Sequence, residues 1–226
     1  MLFFRPHYAI TLAGMFINLS TYAGVEIGGT RLIYNEKVNQ ANISVNNPDD
    51  KPYLIQSWID NNSNNGNDDT FLTTPPIFKL EAGEQNSVRV VYTGKPLTKD
   101  RESLFWLNIK SIPSIDKNKT NQLLIAVNTK IKLFYRPSAL KGKPDEAYTQ
   151  LNIRAQKNEI IISNPTEYNI SIYQFSLDGQ PQKNITTIAA KSAFHFDYKG
   201  KKAKTATWNA INDYGSITEK VSKNVN

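Results

Sequence analysis

Apolar and polar residues alternate along this chain in pieces of strand length, parted by turn-rich segments, and few stretches carry a helical period. Residues 31–34 form a short apolar strand. Residues 41–46 alternate and run into Asn47-Pro48-Asp49-Asp50, a strong turn signal. Residues 53–59 read as a rich strand, and the polar tract 60–69 as a loop. Residues 77–80, a turn at Glu81-Ala82-Gly83-Glu84, and an alternating Val/Arg run at 87–92 follow. Two more strands are predicted at 104–109 and at 123–135, the last being the longest. About seven strands at this spacing are what an immunoglobulin-like sandwich requires.

After a linker at 138–145, which contains Lys141-Gly142-Lys143-Pro144, the second half repeats the style on a smaller scale. Strands are predicted at 158–163, 170–175, 191–198 and 205–209, with Asn164-Pro165 and Asp178-Gly179 as turns. The expectation is an all-β chain with two domains, 24–140 and 141–226, which 226 residues comfortably supply. Composition agrees: Tyr and Phe total 21, and Val, Ile and Thr are abundant, as strands prefer.

The N-terminus alters the picture by giving an address. Arg5 and His7 precede an apolar run at 8–17, then small residues at Ser20, Thr21 and Ala23. This reads as a secretory leader, residues 1–23, cut after Ala23. Its apolar run is far shorter than the roughly 20 residues a membrane span needs. The chain has no cysteine, so an exported protein of this kind relies on its cores rather than disulfides. Net charge is +7, which favours an acidic partner without naming one.

Catalytic chemistry finds little support. After the leader the chain holds one histidine, His195, between Phe194 and Phe196 in a strand-like stretch, where a surface or edge place is expected. No glycine-rich phosphate loop or metal-ligand spacing occurs, so neither an enzyme nor a cofactor or metal is expected. The basic cluster 199–204 reads as a solvated turn rather than a nucleic-acid site.

The segment 123–137 carries the most information. Leu123, Ile125 and Val127 share one face by alternation, and a strand ending in Lys132 and Arg136 is closed by Pro137. Taken alone, such a face packs into its own domain, and Arg31 and Lys132 are solvated cations among 27.

Several pieces together resemble the periplasmic pilus-assembly chaperones of the PapD/FimC-like family of chaperone–usher systems. They are Gly29-Thr30-Arg31, Thr74-Pro75-Pro76, Asp100-Arg101-Glu102-Ser103-Leu104-Phe105-Trp106, Asn108-Ile109, Ile112-Pro113, Thr129-Lys130-Ile131-Lys132-Leu133-Phe134-Tyr135-Arg136-Pro137 and Ile211-Asn212-Asp213-Tyr214-Gly215. They stand in family order and span the chain beyond the leader. The resemblance implies two immunoglobulin-like sandwiches set as a boomerang around a cleft. It also implies a chaperone that captures pilus subunits in the periplasm and passes them to an outer-membrane usher.

The resemblance further implies roles for particular residues. Leu123, Ile125 and Val127 would enter the open groove of a subunit by donor-strand complementation, leaving Leu124 and Ala126 for the chaperone's own core. Each buried apolar side chain would contribute roughly 1.5–3 kcal/mol before ordering costs. Arg31 and Lys132 would hold the subunit's C-terminal carboxylate, whose two oxygens suit two cations. Strict alternation puts Lys132 on the face opposite Val127, so serving one ligand would require a twist or bulge between them. Glu102, Arg136 and Asp213 match a charged cluster joining the domains, and Thr74-Pro75-Pro76 a proline turn of the kind that can hold a cis bond. The short polar segment 114–120, without a cysteine pair, matches the short-loop class. Exposed donor residues would also create a need for self-capping by dimerisation when no subunit is bound. An exported adhesin or carbohydrate-binding sandwich is the alternative reading, and it gives Arg31 and Lys132 no role.

Overall fold

A computed structural model describes residues 24–61, 69–115, 121, 123–200 and 203–226. The leader 1–23 and parts of the segments 60–69, 114–120 and 199–204 lie outside the described residues. The first domain comprises β1 (Glu26–Ile27), β2 (Arg31–Asn35), β3 (Ala41–Asn46), β4 (Tyr53–Asp60), β5 (Phe71–Thr74), β6 (Ile77–Leu80), β7 (Gln85–Tyr92), β8 (Ser103–Pro113) and β9 (Val127–Arg136). That is more than the seven expected. The unexpected ones, β1 and β5, are two and four residues long, too short to show an alternation.

One sheet has the order β1-β3-β7-β5 and the other β2-β9-β8-β4-β6. Alternate residues of each point inward: Ile43, Val45, Val88 and Val90 meet Ile55, Ile59, Leu107, Ile109, Ile131 and Leu133 in one core. The chain changes sheet between β1 and β2. Gly28 makes the crossing, its N–H donating to the Ser44 carbonyl at 2.9 Å. Any side chain there would collide with Ser44, whose Oγ would lie 1.9 Å from a Cβ. β2 then joins the second sheet parallel to β9, pairing Arg31 with Lys132 and Asn35 with Arg136.

The second domain opens with a single helical turn, α1 (Pro144–Ala147). Its strands are β10 (Asn152–Gln156), β11 (Glu159–Asn164), β12 (Ile170–Leu177), β13 (Gln180–Gln182), β14 (Thr187–Ile188), β15 (Ser192–Asp197), β16 (Thr205–Ile211) and β17 (Val221–Asn224). The sheet β10-β11-β15 faces β13-β12-β16-β17, with β14 also on β12. Trp208 and Phe175 stack at the centre, and the Trp208 Nε1–H donates to the Tyr148 carbonyl at 2.9 Å. The unforeseen β10, β13, β14 and β17 are all five residues or fewer.

Both Asn-Pro turns prove to be buried braces. Asn47 donates to the carbonyls of Lys51 and Glu81 at 2.8 Å, and Asn164 to those of Tyr168 at 2.8 Å and Ala189 at 3.0 Å. Each amide satisfies loop carbonyls that burial would otherwise strand. The Thr74-Pro75 peptide is cis.

Candidate functional site: the β9 edge and the interdomain cations

β9 starts at Val127, four residues later than the alternation predicts. Residues 123–126 belong to no strand, because the pairing with β8 reaches only as far as Ser111 opposite Val127. Leu124 and Ala126, expected in the domain's own core, are exposed. Leu123, Ile125 and Val127 are exposed too, at 86%, 64% and 53%. The whole apolar run is therefore bare, not half of it.

Within β9 the register against β8 is unbroken from Val127 to Tyr135. No bulge intervenes between Val127 and Lys132. Ile131, Leu133 and Tyr135 face the core, with Val127 on the same side by alternation, while Lys132 points the other way. The two sides of the strand are reconciled by its edge. On the side away from β8, pairing with β2 begins only at Lys132. From Val127 to Ile131 that edge carries no strand among the described residues.

Arg31 and Lys132 stand side by side where β2 begins, and both reach the second domain. Lys132 Nζ donates to Ser171 Oγ on β12 at 3.0 Å, and Arg31 Nη1 to the Ile211 carbonyl on β16 at 2.7 Å. Neither forms an ion pair among the described residues. Burial, with the neighbouring Arg31 guanidinium, pulls the Lys132 ammonium down to about 8. Burial also lowers Arg31, which the charge of Asp213 partly offsets. Two partly desolvated cations with neutral partners form a site that favours an anion. Ser171 and the Ile211 carbonyl were invisible in the sequence, since a serine and a backbone oxygen in alternating strands carry no distinguishing pattern.

Glu102, Arg136 and Asp213, far apart in sequence, come together. Arg136 Nε donates to Glu102 Oε1 at 2.6 Å, and its Nη1 and Nη2 to the two Asp213 oxygens at 2.6 and 2.9 Å. Glu102 is buried and accepts a further bond from the Asn169 N–H at 2.8 Å. Burial pushes its carboxyl upward against the pull of Arg136. Arg136 is held above its ordinary value: burial opposes this, but the two carboxylates outweigh it. Lys191 of the second domain adds an outer brace, 3.3 Å from Asp100 and 3.1 Å from Glu167.

His195 lies on the edge strand β15, its Nδ1 3.1 Å from Glu159. Among the described residues no three His, Cys, Asp or Glu side chains gather to hold a metal, and no helix is long and apolar enough to cross a membrane.

These features define a two-domain immunoglobulin-like protein in which the β9 edge, open from Val127 to Ile131 among the described residues, lies beside two partly buried cations. Residues 24–141 match the family described as pili and flagellar-assembly chaperone, PapD N-terminal domain, and residues 146–222 its pili assembly chaperone PapD, C-terminal domain counterpart. The chain belongs to the PapD-like pilus-assembly chaperones. It is 36% identical to the probable fimbrial chaperone LpfB of Escherichia coli O157:H7, over 98% of this chain and 97% of that protein. It is 37% identical to the chaperone FimC of Escherichia coli O6:H1, over 88% of this chain and 84% of FimC. Among solved structures, it resembles a chain from the Salmonella enterica SafA pilin–SafB chaperone complex, with a TM-score of 0.83, 28% identity and coverage of 91% and 98% of the two chains. The Escherichia coli chaperone DraB gives a TM-score of 0.79 at 31% identity, covering 90% and 97%.

Proposed function

We propose that this chain captures pilus subunits in the periplasm by donor-strand complementation and delivers them to an outer-membrane usher. The leader, residues 1–23, would be removed on export. Leu123, Ile125 and Val127 fill the groove of a subunit that lacks a strand, and Arg31 with Lys132 binds its C-terminal carboxylate. Glu102, Arg136 and Asp213 hold the domains at the angle that keeps the site open.

The observation that carries this reading is the end-to-end arrangement of the open β9 edge and β2. A strand added along Val127–Ile131 meets the start of β2 at Arg31 and can go no further. A partner strand that ends there places its terminus beside Arg31 and Lys132. A strand parallel to β9 brings its carboxylate to two cations, whereas an antiparallel one brings an ammonium. Coulomb repulsion rejects the second. The SafB relative was solved with a pilin, which agrees with such a partner. Fixing the terminus at Lys132 also fixes which subunit residues lie beside Leu123, Ile125 and Val127, and a one-residue slip would turn the wrong face inward.

Co-expression of the full chain with candidate pilus subunits in a periplasm tests the proposal. Pull-down with wild type should recover a subunit that folded Lys132→Ala and Arg31→Ala variants lose. Equal recovery by the variants would overturn the carboxylate anchor.

A further inference from the structure

The turn after β16 offers an aromatic side chain with no role in the fold. Tyr214 is 88% exposed, yet its backbone is firmly held. Asn212 Oδ1 accepts from the N–H groups of Tyr214 at 3.1 Å and Ser216 at 2.9 Å, and the Asn212 N–H donates to the Ser216 carbonyl at 2.9 Å. The preceding residue, Asp213, is clamped by both terminal nitrogens of Arg136. A large ring on so rigid a base loses little conformational freedom on contact, the property that suits Tyr to recognition surfaces.

The turn also sits at a particular place. Gly215, at φ +84°, lies so close to Thr30 that a Cβ there would be 3.2 Å from the threonine Oγ1. Thr30 precedes Arg31, the point at which an added strand must stop. Beyond the turn, Ile217 bridges to Ile211, whose carbonyl accepts from Arg31, and is 51% exposed. Tyr214 and Ile217 are thus two exposed apolar side chains on the turn that packs beside Thr30 and Arg31.

We infer that Tyr214, supported by Ile217, reads an apolar side chain in the last residues of the captured subunit. The carboxylate anchor cannot supply this selectivity, since every chain ends in the same group. The inference rests on that anchor reading. A ring carried on a held turn beside Thr30 lets one chaperone rank chain ends by the residue beside the carboxylate. The partner committed to is the subunit, because the turn that carries Tyr214 packs against Thr30, next to the arginine proposed to hold the subunit's end.

Binding of synthetic strand peptides to the full chain tests this. The peptides differ only in whether the residue before the last is leucine, phenylalanine or serine, and each is made with a free carboxylate and as an amide. Tyr214→Ala should weaken binding of the leucine and phenylalanine peptides about five- to tenfold, the effect of losing roughly 1 kcal/mol of contact. It should leave the serine peptide unchanged, and Tyr214→Phe should restore the ranking. A Tyr214→Ala chain that matches wild type on every peptide overturns the inference and leaves the anchor standing. Wild-type protein that binds acid and amide equally overturns the anchor, and the inference with it. An unchanged far-ultraviolet spectrum and melting temperature, expected for so exposed a side chain, show that the variant is folded.

Discussion

Arg31 and Lys132 are direct partners in the parallel pairing of β2 and β9, so two cations stand side by side on one face of a sheet. Each is steadied by a neutral oxygen of the other domain rather than by a carboxylate. Such a pair is unfavourable for the fold by itself and becomes favourable when an anion arrives. Lys132→Met should leave the melting temperature unchanged or raise it, because a desolvated charge beside a like charge is removed. The same change should weaken subunit binding by about 2–5 kcal/mol, the cost of stripping one partner from a buried charge pair at an interface. Calorimetric melting together with titration of a subunit or C-terminal peptide checks both halves. A large fall in melting temperature would contradict it.

Binding should depend on pH through Lys132. In the free protein its ammonium is pulled to about 8, below the ordinary lysine value, and a bound carboxylate would lift it again. Below pH 8 the cation is already charged and affinity is flat. Above pH 8 binding must first take up a proton, so affinity falls by up to about tenfold per pH unit. For folding the sign is opposite. The folded state holds fewer protons than the unfolded chain between about pH 8 and the ordinary lysine value, so this group's contribution to stability rises with pH across that window. Lys132→Arg, whose charge does not titrate, should abolish the pH dependence of binding. Affinities measured from pH 6 to 10 decide it.

The apolar run before β9 should behave as surface in the free protein. Ile125→Asp or Val127→Asp should shift stability by no more than about 0.5 kcal/mol, as exposed substitutions do. Either should nevertheless abolish subunit recovery by placing an unpaired charge in the groove. Leu133→Ala, on the same strand but fully buried, should cost about 2–5 kcal/mol of stability. Chemical denaturation of the three variants separates the exposed apolar positions from the buried part of β9.

The interdomain cluster should be costly to break from its buried side. Glu102→Ala leaves the Arg136 guanidinium without a partner its burial requires, and should destabilise by about 3–5 kcal/mol. Asp213→Ala should cost less, about 1–3 kcal/mol, because its side chain is 26% exposed and water can replace it. Both variants should bind a subunit more weakly even where folded, since the cations on β2 and β9 would no longer be held against β12 and β16. Denaturation curves and small-angle scattering of the two variants test stability and domain angle separately.

Much of this was legible in the linear chain. The alternation of Ala41–Asn46 and the apolar Ile77–Leu80 located β3 and β6 to the residue, because inward side chains must recur every second position. The family's residues pointed to Arg31, Lys132 and the Glu102, Arg136, Asp213 set. The same alternation could not tell where β9 ends as a strand and begins as a bare segment. Leu123, Ile125 and Ile131 look alike by period, whether the wall they meet is their own core or another protein. Only the tertiary structure showed which of them are buried in that core and which are exposed, through the reach of β8 and the crossing of the chain at Gly28. That crossing starts β2 at Arg31, sets the arginine beside Lys132 and leaves the edge from Val127 to Ile131 without a strand among the described residues. Composition and period are local and so belong to the sequence. Which edge stays open depends on how distant segments share one core, and that is settled only when the whole chain has folded.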